Sequence, residues 1–192
     1  KWYCEIVATA ASSNHESYLG VIGADTLDGA GSLAAGFYNT ESYTFFGGGN
    51  GQGSGTAYTS MPSPAFNAAG DVVQFKLDLD SSPQTIEMKV NGGAWMAPIN
   101  FAEKIGATST SWGFQAKTGS GGGGQSMMWH FNFGQGDPDG QNNFTDSNEI
   151  GGFRFEPPSE FLSLCTANMS DKDHAPIGPN VTAGTPDQHF DT

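Results

Sequence analysis

The chain has 192 residues, the size of one domain, and carries 7 Lys and Arg against 20 Asp and Glu, a formal net charge of −13 at pH 7. This charge repels phosphate backbones and anionic lipid headgroups, so nucleic acids and membrane surfaces are excluded as partners. No run approaches the ~20 consecutive apolar residues of a membrane-spanning helix, and residues 1–6 lack the long apolar run of a signal peptide.

The composition favours strands over helices. There are 28 Gly, 12% aromatic and only 14% charged residues, and each Gly in a helix costs about 1 kcal/mol relative to Ala. Gly supplies tight turns, and aromatic side chains pack well on pleated sheets. We therefore predict an all-β protein with little or no helix, whose acidic residues lie outside the core.

The first half of the chain contains several short strand candidates. Residues 2–6 place large side chains two positions apart, which is the spacing of a strand. Shorter candidates follow at 18–22, 36–38 and 43–46, and a Gly-rich connection covers 47–55. These signals predict short strands joined by tight turns.

The clearest strand covers residues 73–80, where apolar residues occupy every odd position and polar residues every even one. Residues 86–90 repeat this alternation, so the two runs predict an antiparallel hairpin with one buried and one hydrated face. Asn91-Gly92 suits a type I′ turn. It would reverse the chain toward Trp95 and give a three-stranded meander.

The second half continues the pattern, with strand candidates at 112–116 and 127–133. The one helix candidate, 101–105, is too short to organise a fold. At least eight short strands without intervening helices predict an antiparallel sandwich or barrel and give no support for a parallel sheet. Residues 137–152 form a longer polar excursion.

Several segments together resemble a known family. They are Lys-Trp-Tyr-Cys-Glu at 1–5, Gly-Asp-Val-Val at 70–73, Val-Asn-Gly at 90–92, Asn-Phe-Gly-Gln at 132–135, Ile-Gly-Gly-Phe at 150–153 and the run 157–168. In this order they resemble SPRY-type domains, and in particular the variant carried by tailed bacteriophages and prophages.

The resemblance implies a jelly-roll, concanavalin-like β-sandwich over 1–168 and an extended Pro- and Asp-rich connector over 169–192 that leads to a further module. It also implies a virion protein of a phage tail fibre, baseplate or capsid surface, without enzymatic activity. Its expected partners are a host surface glycan or protein and other virion subunits, and trimers are common among such proteins. A purely structural decoration or spacer module is the alternative.

Enzymatic interpretations are weaker. No His accompanies a nucleophile elbow around a Ser or Cys. A glycoside hydrolase needs two carboxylates beside the scissile bond, and Asp78 and Asp80 have a suitable spacing on one strand face. A solvated sheet face explains the same pair, so a glycoside hydrolase is a third and less favoured hypothesis.

An oxygen-rich turn could hold a hard cation such as calcium. Asp137, Asp139 and Asn142 or Asn143 provide oxygen ligands close together. An ordinary Asx-rich turn is the alternative, because the spacing does not match an EF-hand loop. We expect no other cofactor.

Cys4 and Cys165 are the two cysteines, and they fall on the first and last predicted strands, which lie close together in the resembled sandwich. A disulfide between them is one interpretation. A phage virion protein assembles in a reducing cytosol, where two free thiols behave as small apolar residues. We favour free thiols.

Aromatic residues near polar turns could stack on sugar rings. The predicted ligand-binding residues are Tyr38, Tyr43, Phe46, Asn91 and Trp95. The alternative is that aromatic residues fill the core, which we expect of a second set: Trp2, Trp112, Trp129, Phe131 and Phe133.

Overall fold

A computed structural model describes residues 1–10, 16–23, 34–38, 44–47, 66, 68–100, 112–119 and 128–168. Some predicted features lie outside these described residues, namely Tyr43, the short helix at 101–105, the connector at 169–192 and most of the Gly-rich segments. For Tyr38 and Phe46, the structure describes the backbone only.

The described residues form two sheets. In chain order the strands are β1 (Trp2–Ala10), β2 (Glu16–Gly23), β3 (Ala34–Tyr38), β4 (Thr44–Gly47), β5 (Val72–Asp78), β6 (Thr85–Val90), β7 (Ile99–Asn100), β8 (Trp112–Gly119), β9 (Met128–Asn132) and β10 (Leu162–Ser163). The first sheet has the order β10-β1-β5-β6-β7, with β9 also paired to β1, and the second has the order β4-β3-β2-β8. The predicted all-β class is confirmed.

Helix is nearly absent from the part of the chain that the structure describes, where one 3₁₀ turn occurs at Thr166–Asn168. No helix there is long and apolar enough to cross a membrane. The jelly-roll, concanavalin-like arrangement of the sheets stays a prediction.

The predicted hairpin of β5 and β6 is confirmed. Phe75 lies opposite Met88 in the antiparallel register, and both are almost fully buried. The turn after β6 has φ of 51° at Asn91 and 72° at Gly92. The Gly93 N–H donates to Val90 O at 2.9 Å, which closes the predicted type I′ turn.

One strand pair contradicts the expectation of purely antiparallel sheets. β10 pairs with β1 in parallel, with Trp2 opposite Leu162 and Tyr3 opposite Ser163. β9 pairs antiparallel with the later part of the same edge of β1. A tight turn would force an antiparallel neighbour, but the long excursion between β9 and β10 removes that constraint.

The two sheets share one hydrophobic core. Leu19 and Val21 of β2 belong to the same buried cluster as Val73 and Phe75 of β5. The aromatic residues predicted for the core are confirmed there, packed against this cluster and partly buried: Trp2, Trp112, Trp129, Phe131 and Phe133. Burial of the apolar side chains of this core stabilises the fold.

The other face of the first sheet is not hydrated as predicted. Gln74 and Glu5, which point away from the shared core, are both 0% exposed. Residues 134–161, which we call the covering layer, lie over this face, and Phe153 packs edge-to-face on Tyr3 at 5.1 Å. The outer face of the first sheet is therefore buried at Glu5 and Gln74 and partly exposed at Lys76 and Lys89.

The expectation that acidic residues lie outside is also wrong at three positions. Glu5, Asp137 and Asp146 are 0%, 7% and 5% exposed. Each carboxylate accepts hydrogen bonds from the covering layer or from the adjoining β10, and such bonds offset the cost of removing a charge from water.

Candidate functional site

The outer face of the β5–β6 hairpin carries charged side chains beside an aromatic loop. Lys76 lies opposite Glu87 in the register, and Lys76 Nζ is 2.8 Å from Glu87 Oε2. Lys89 follows on the same face of β6. We call Lys76, Glu87, Lys89, Trp95 and Phe161 together the Trp95 face.

Trp95 reaches this face because the loop after the Asn91-Gly92 turn folds back on the hairpin. The Met96 N–H donates to Met88 O at 2.9 Å, which fixes the loop one residue after Trp95. The ring packs on the second buried cluster, formed by Tyr3, Phe153 and Phe161, and keeps part of its surface exposed. The predicted sugar-stacking residue is thus rigidly held and accessible.

Two ammonium groups contact the Trp95 ring. Lys76 Nζ is 4.6 Å and Lys89 Nζ is 4.7 Å from the ring centroid. Cation–π contacts of this kind contribute about 0.5–1 kcal/mol each at exposed sites. They bring two like charges close together on one indole.

The electrostatic surroundings lower the pKa of Lys89. Partial burial is the main cause, and the nearby Lys76 ammonium acts in the same direction, whereas Glu5 and Glu156 oppose it. Among the described residues, no carboxylate lies within ion-pair distance of Lys89. Lys89 therefore differs from Lys76, whose charge is matched by Glu87.

Asn91, another predicted ligand-binding residue, uses its side chain to hold the turn. Its Oδ1 accepts from the Val72 N–H and its Nδ2 donates to Asp71 Oδ1, each at 2.8 Å. The Gly92 N–H donates to Gln74 Oε1 at 2.8 Å. Asn91 thus supports the loop that positions Trp95, while the residue as a whole stays exposed.

The remaining ligand-binding candidates are on other strands or outside the described residues. Tyr38 and Phe46 belong to β3 and β4 of the second sheet, and Tyr43 lies outside the described residues. Among the described residues, Asn91 and Trp95 are the two candidates that the structure places in the same loop region.

The carboxylates of the oxygen-rich turn, Asp137 and Asp139, bind the guanidinium of Arg154. Arg154 Nη2 donates to Asp137 Oδ1 and to Asp139 Oδ2 at 2.9 Å, and its Nε donates to Asp137 Oδ2 at 2.9 Å. The two carboxylates predicted as calcium ligands do converge. The positive charge that they contact is Arg154, the one arginine of the sequence.

Asn142 and Asn143 do not complete a ligand set around these carboxylates. Asn142 Oδ1 accepts from the Asp137 N–H at 2.7 Å, and Asn143 donates its backbone N–H to Phe153 O at 2.9 Å. Across the described ranges, no group of three or more His, Cys, Asp or Glu side chains could hold a metal ion. The geometry matches the alternative, an Asx-rich turn.

The buried Glu5 is not among the residues predicted to matter. Its carboxylate accepts from the Tyr3 hydroxyl at 3.0 Å and from the backbone N–H groups of Arg154 and Phe155 at 2.9 and 2.8 Å. Burial raises the pKa of Glu5, although these three hydrogen bonds favour the charged form. Glu5 therefore ties the covering layer to β1.

A second carboxylate, Asp146, organises the end of the covering layer. Its Oδ2 accepts from the Ser163 N–H at 2.8 Å, from the Ser163 hydroxyl at 2.7 Å and from Asn168 Nδ2 at 2.6 Å. The net effect of these hydrogen bonds is a lowered pKa of Asp146, although burial alone would raise it. Asp146 thus holds β10 beside β1.

Both cysteines are free thiols. Cys4 is fully buried on β1, and burial raises the pKa of its thiol. Cys165 follows β10, is partly exposed, and has its Sγ 3.6 Å from Ser163 Oγ. Neither residue contacts the Trp95 face in the described part of the molecule.

Asp78, considered as a glycosidase carboxylate, caps the turn after β5. Its Oδ1 accepts from the N–H groups of Asp80 and Ser81 at 3.0 Å, and its Oδ2 accepts from the Ser81 hydroxyl at 2.8 Å. Burial raises its pKa, but these bonds and the Lys1 ammonium outweigh burial and hold the pKa at about 2. A general acid needs a raised pKa, so this carboxylate suits a turn cap.

No protein-family model matches this chain, and no curated protein matches it either. The SPRY-type resemblance therefore stays a prediction.

Proposed function

We propose that the chain is a non-enzymatic binding module that holds a glycan on the Trp95 face. The observation that carries this proposal is the partly exposed Trp95 ring, whose centroid lies 4.6 and 4.7 Å from two lysine ammonium groups, beside an exposed turn. In the setting that the SPRY-type resemblance implies, the module is an adhesin on a phage tail fibre, baseplate or capsid surface, and the glycan belongs to the host.

The physical basis is the match between an indole and a sugar ring. The apolar face of a sugar stacks on a flat aromatic side chain, while nearby polar groups meet its hydroxyls. Trp95 has little freedom to move, because its ring packs on the second buried cluster and Met96 is hydrogen-bonded to Met88. A preorganised platform lowers the entropic cost of binding.

The absence of enzymatic activity is part of the proposal. The Asp78 carboxylate accepts hydrogen bonds from backbone N–H groups of its own turn, and the Asp137 carboxylate accepts hydrogen bonds from Arg154. Carboxylates engaged in this way are poorly placed to exchange protons with a substrate.

The test is binding of the complete 192-residue chain to a glycan array, with two substitutions at one position. Trp95→Phe keeps an aromatic face, and Trp95→Leu keeps apolar volume without one. We expect Trp95→Phe to retain binding and Trp95→Leu to lose at least tenfold in affinity.

Phe144→Leu is the matched control, because Phe144 is also an exposed aromatic residue, at 40% exposure. Thermal unfolding followed by circular dichroism establishes that each variant is folded. Array binding that Trp95→Leu leaves intact, or no binding of any glycan by the wild type, would overturn the proposal.

A structural module is the second candidate, and exposed apolar side chains favour it. Met128 is 60% and Phe144 40% exposed, and they are the exposed large hydrophobic residues in the described part of the chain. Such residues are typical of surfaces that pack on other subunits. Self-association in sedimentation that Met128→Ser and Phe144→Ser abolish, without any glycan binding, would support this candidate.

A further inference from the structure

We infer that the Trp95 face takes an acidic sugar, with the Lys89 ammonium as the partner of the sugar carboxylate and the Trp95 ring as the platform for its apolar face. This inference rests on the proposed function and names the chemical class of the ligand.

The distribution of cations is the first observation. Four of the seven Lys and Arg residues lie on the outer side of the first sheet, in a chain with a net charge of −13. Three of the four contact carboxylates: Lys1 contacts Asp78 and Glu160, Lys76 contacts Glu87, and Arg154 contacts Asp137 and Asp139. Lys89 is the fourth.

The charged groups around Lys89 leave its ammonium without an ion-pair partner among the described residues. The groups that act on it electrostatically are Glu5, Lys76 and Glu156. Glu5 is fully buried and bonded to Tyr3 and to the covering layer, and Lys76 is paired with Glu87. Glu156 is exposed and lies beyond ion-pair distance of Lys89 among the described contacts.

A partly desolvated ammonium without a counterion is an unfavourable arrangement. A carboxylate from a ligand would supply the missing charge and form a charge-assisted hydrogen bond. Because Lys89 Nζ lies 4.7 Å from the centre of the Trp95 ring, one ligand of sugar size can reach both groups.

The charge balance also limits which anions fit. Polyanions such as nucleic acids are repelled by the net charge of −13. The single ammonium that has no ion-pair partner among the described residues of this face matches one carboxylate. The chemistry is that of a monocarboxylated sugar, shared by uronic acids and sialic acids.

The experiment follows the Trp95 indole N–H resonance of the full chain by NMR during titration with four probes. These are methyl β-glucuronide, N-acetylneuraminic acid, methyl β-glucoside and sodium acetate. The first two distinguish uronic from sialic acids, the third lacks the charge, and the fourth lacks the ring. We expect one of the two acidic sugars to bind at least tenfold more tightly than the glucoside and the acetate.

Three variants assign the effect to Lys89. Lys89→Met removes the charge but keeps the apolar stem, and we expect it to lose at least tenfold in affinity for the acidic sugar. Lys89→Arg keeps the charge and is expected to retain binding. Lys1→Met removes a carboxylate-paired cation from the same side of the sheet and is expected to bind as the wild type does.

The outcomes separate this inference from the proposed function. Equal affinity for glucoside and acidic sugar, or an acidic-sugar affinity that Lys89→Met leaves unchanged, would overturn the inference while leaving glycan binding on Trp95 intact. Acetate binding as tight as that of the sugars would reduce the site to an anion site and overturn it as well. No sugar response of any kind, together with an empty glycan array, would overturn both.

Discussion

Arg154 donates two parallel hydrogen bonds to Asp137, one from Nε and one from Nη2, each 2.9 Å long. The Asp137 side chain is completely buried, and that of Arg154 is 13% exposed. The same residue donates its backbone N–H to Glu5 of β1. Arg154 therefore contacts the oxygen-rich turn through a buried, bidentate ion pair and the first strand through its backbone N–H.

Removing Arg154 leaves a buried charge without its partner. We expect Arg154→Met to lower the free energy of unfolding by about 3–5 kcal/mol, the usual cost of breaking such a pair from one side. Urea denaturation measures the change. The double variant Arg154→Met/Asp137→Asn removes the stranded charge as well, so it should recover part of the loss.

Asp139→Asn is the control for that experiment. Asp139 contacts the same guanidinium, but its side chain is 60% exposed, and exposed ion pairs contribute less than about 1 kcal/mol. A loss as large as that of Arg154→Met would mean that the exposed contact, and not the buried pair, holds the turn.

Gly92 is required both by its backbone angle and by a neighbouring ring. Its φ is +72°, and a Cβ there would lie 2.7 Å from Cε1 of Phe155. Gly140 has nearly the same φ, +73°, and a Cβ added at that position would have nothing within 4 Å. The two positions share the backbone strain and differ in the steric contact.

We therefore expect Gly92→Ala to destabilise the protein more than Gly140→Ala. Gly140→Ala should cost about 1 kcal/mol, the penalty of a left-handed conformation with a Cβ, and Gly92→Ala should cost at least about 1 kcal/mol more because Phe155 must move. Thermal and urea unfolding compare the two. Equal losses would show that the Phe155 ring moves aside at no measurable cost.

Glu5 gives the protein a pH-dependent stability. Its pKa in the folded state is raised, chiefly by burial, so the unfolded chain releases this proton at lower pH than the folded one does. The wild type should therefore lose stability relative to Glu5→Gln as the pH rises from about 4, the ordinary range of a Glu, through the folded-state pKa, and then reach a plateau.

At neutral pH the same variant should still be less stable than the wild type. Gln has one acceptor oxygen for the two backbone N–H groups of Arg154 and Phe155, and an unsatisfied buried donor costs about 1–3 kcal/mol. Urea unfolding between pH 4 and pH 8 measures both effects. A stability difference between the two proteins that does not change with pH would contradict the raised pKa.

The local patterns of the sequence predict the hairpin well. The alternation of apolar residues predicts β5 and β6, and the Asn91-Gly92 dipeptide predicts the turn after β6. Both signals involve only residues close in sequence. Turn type and strand period depend on backbone geometry over a few residues. The structure confirms both at these positions.

The covering layer could not be predicted in the same way, because its contacts join distant parts of the chain. Glu5 and Arg154 are separated by 149 positions. One local signal is present: around Glu5, the residues from Trp2 to Val7 are otherwise all apolar or aromatic. A nearly continuous apolar run indicates a strand buried on both faces, which would place Glu5 in the interior.

The Trp95 face is half predictable from the sequence. Trp95 and Asn91 can be identified because sugar-binding aromatic residues often lie near polar turns. The strand alternation predicts only hydrated side chains at Lys76 and Lys89, since nothing local shows that a loop will fold back over a strand. Their approach to one indole depends on tertiary structure.

Asp78 provides the last test, which distinguishes its role as a turn cap from a role as a catalytic carboxylate. Its folded-state pKa of about 2 lies below the ordinary 3.8, so its contribution to stability is complete above about pH 4 and is lost as the pH falls toward 2. We expect Asp78→Asn to cost about 2 kcal/mol at pH 7, the equivalent of this difference in pKa. The variant should also lack the loss of stability below pH 4.

Asp80→Asn is its control, since Asp80 is 72% exposed and should affect stability little. Each protein is also incubated with polysaccharides, and chain length is measured. We expect no shortening by the wild type or by either variant. Polysaccharide shortening by the wild type that Asp78→Asn abolishes, without loss of stability, would show that this carboxylate is catalytic and would end the proposal of a non-enzymatic module.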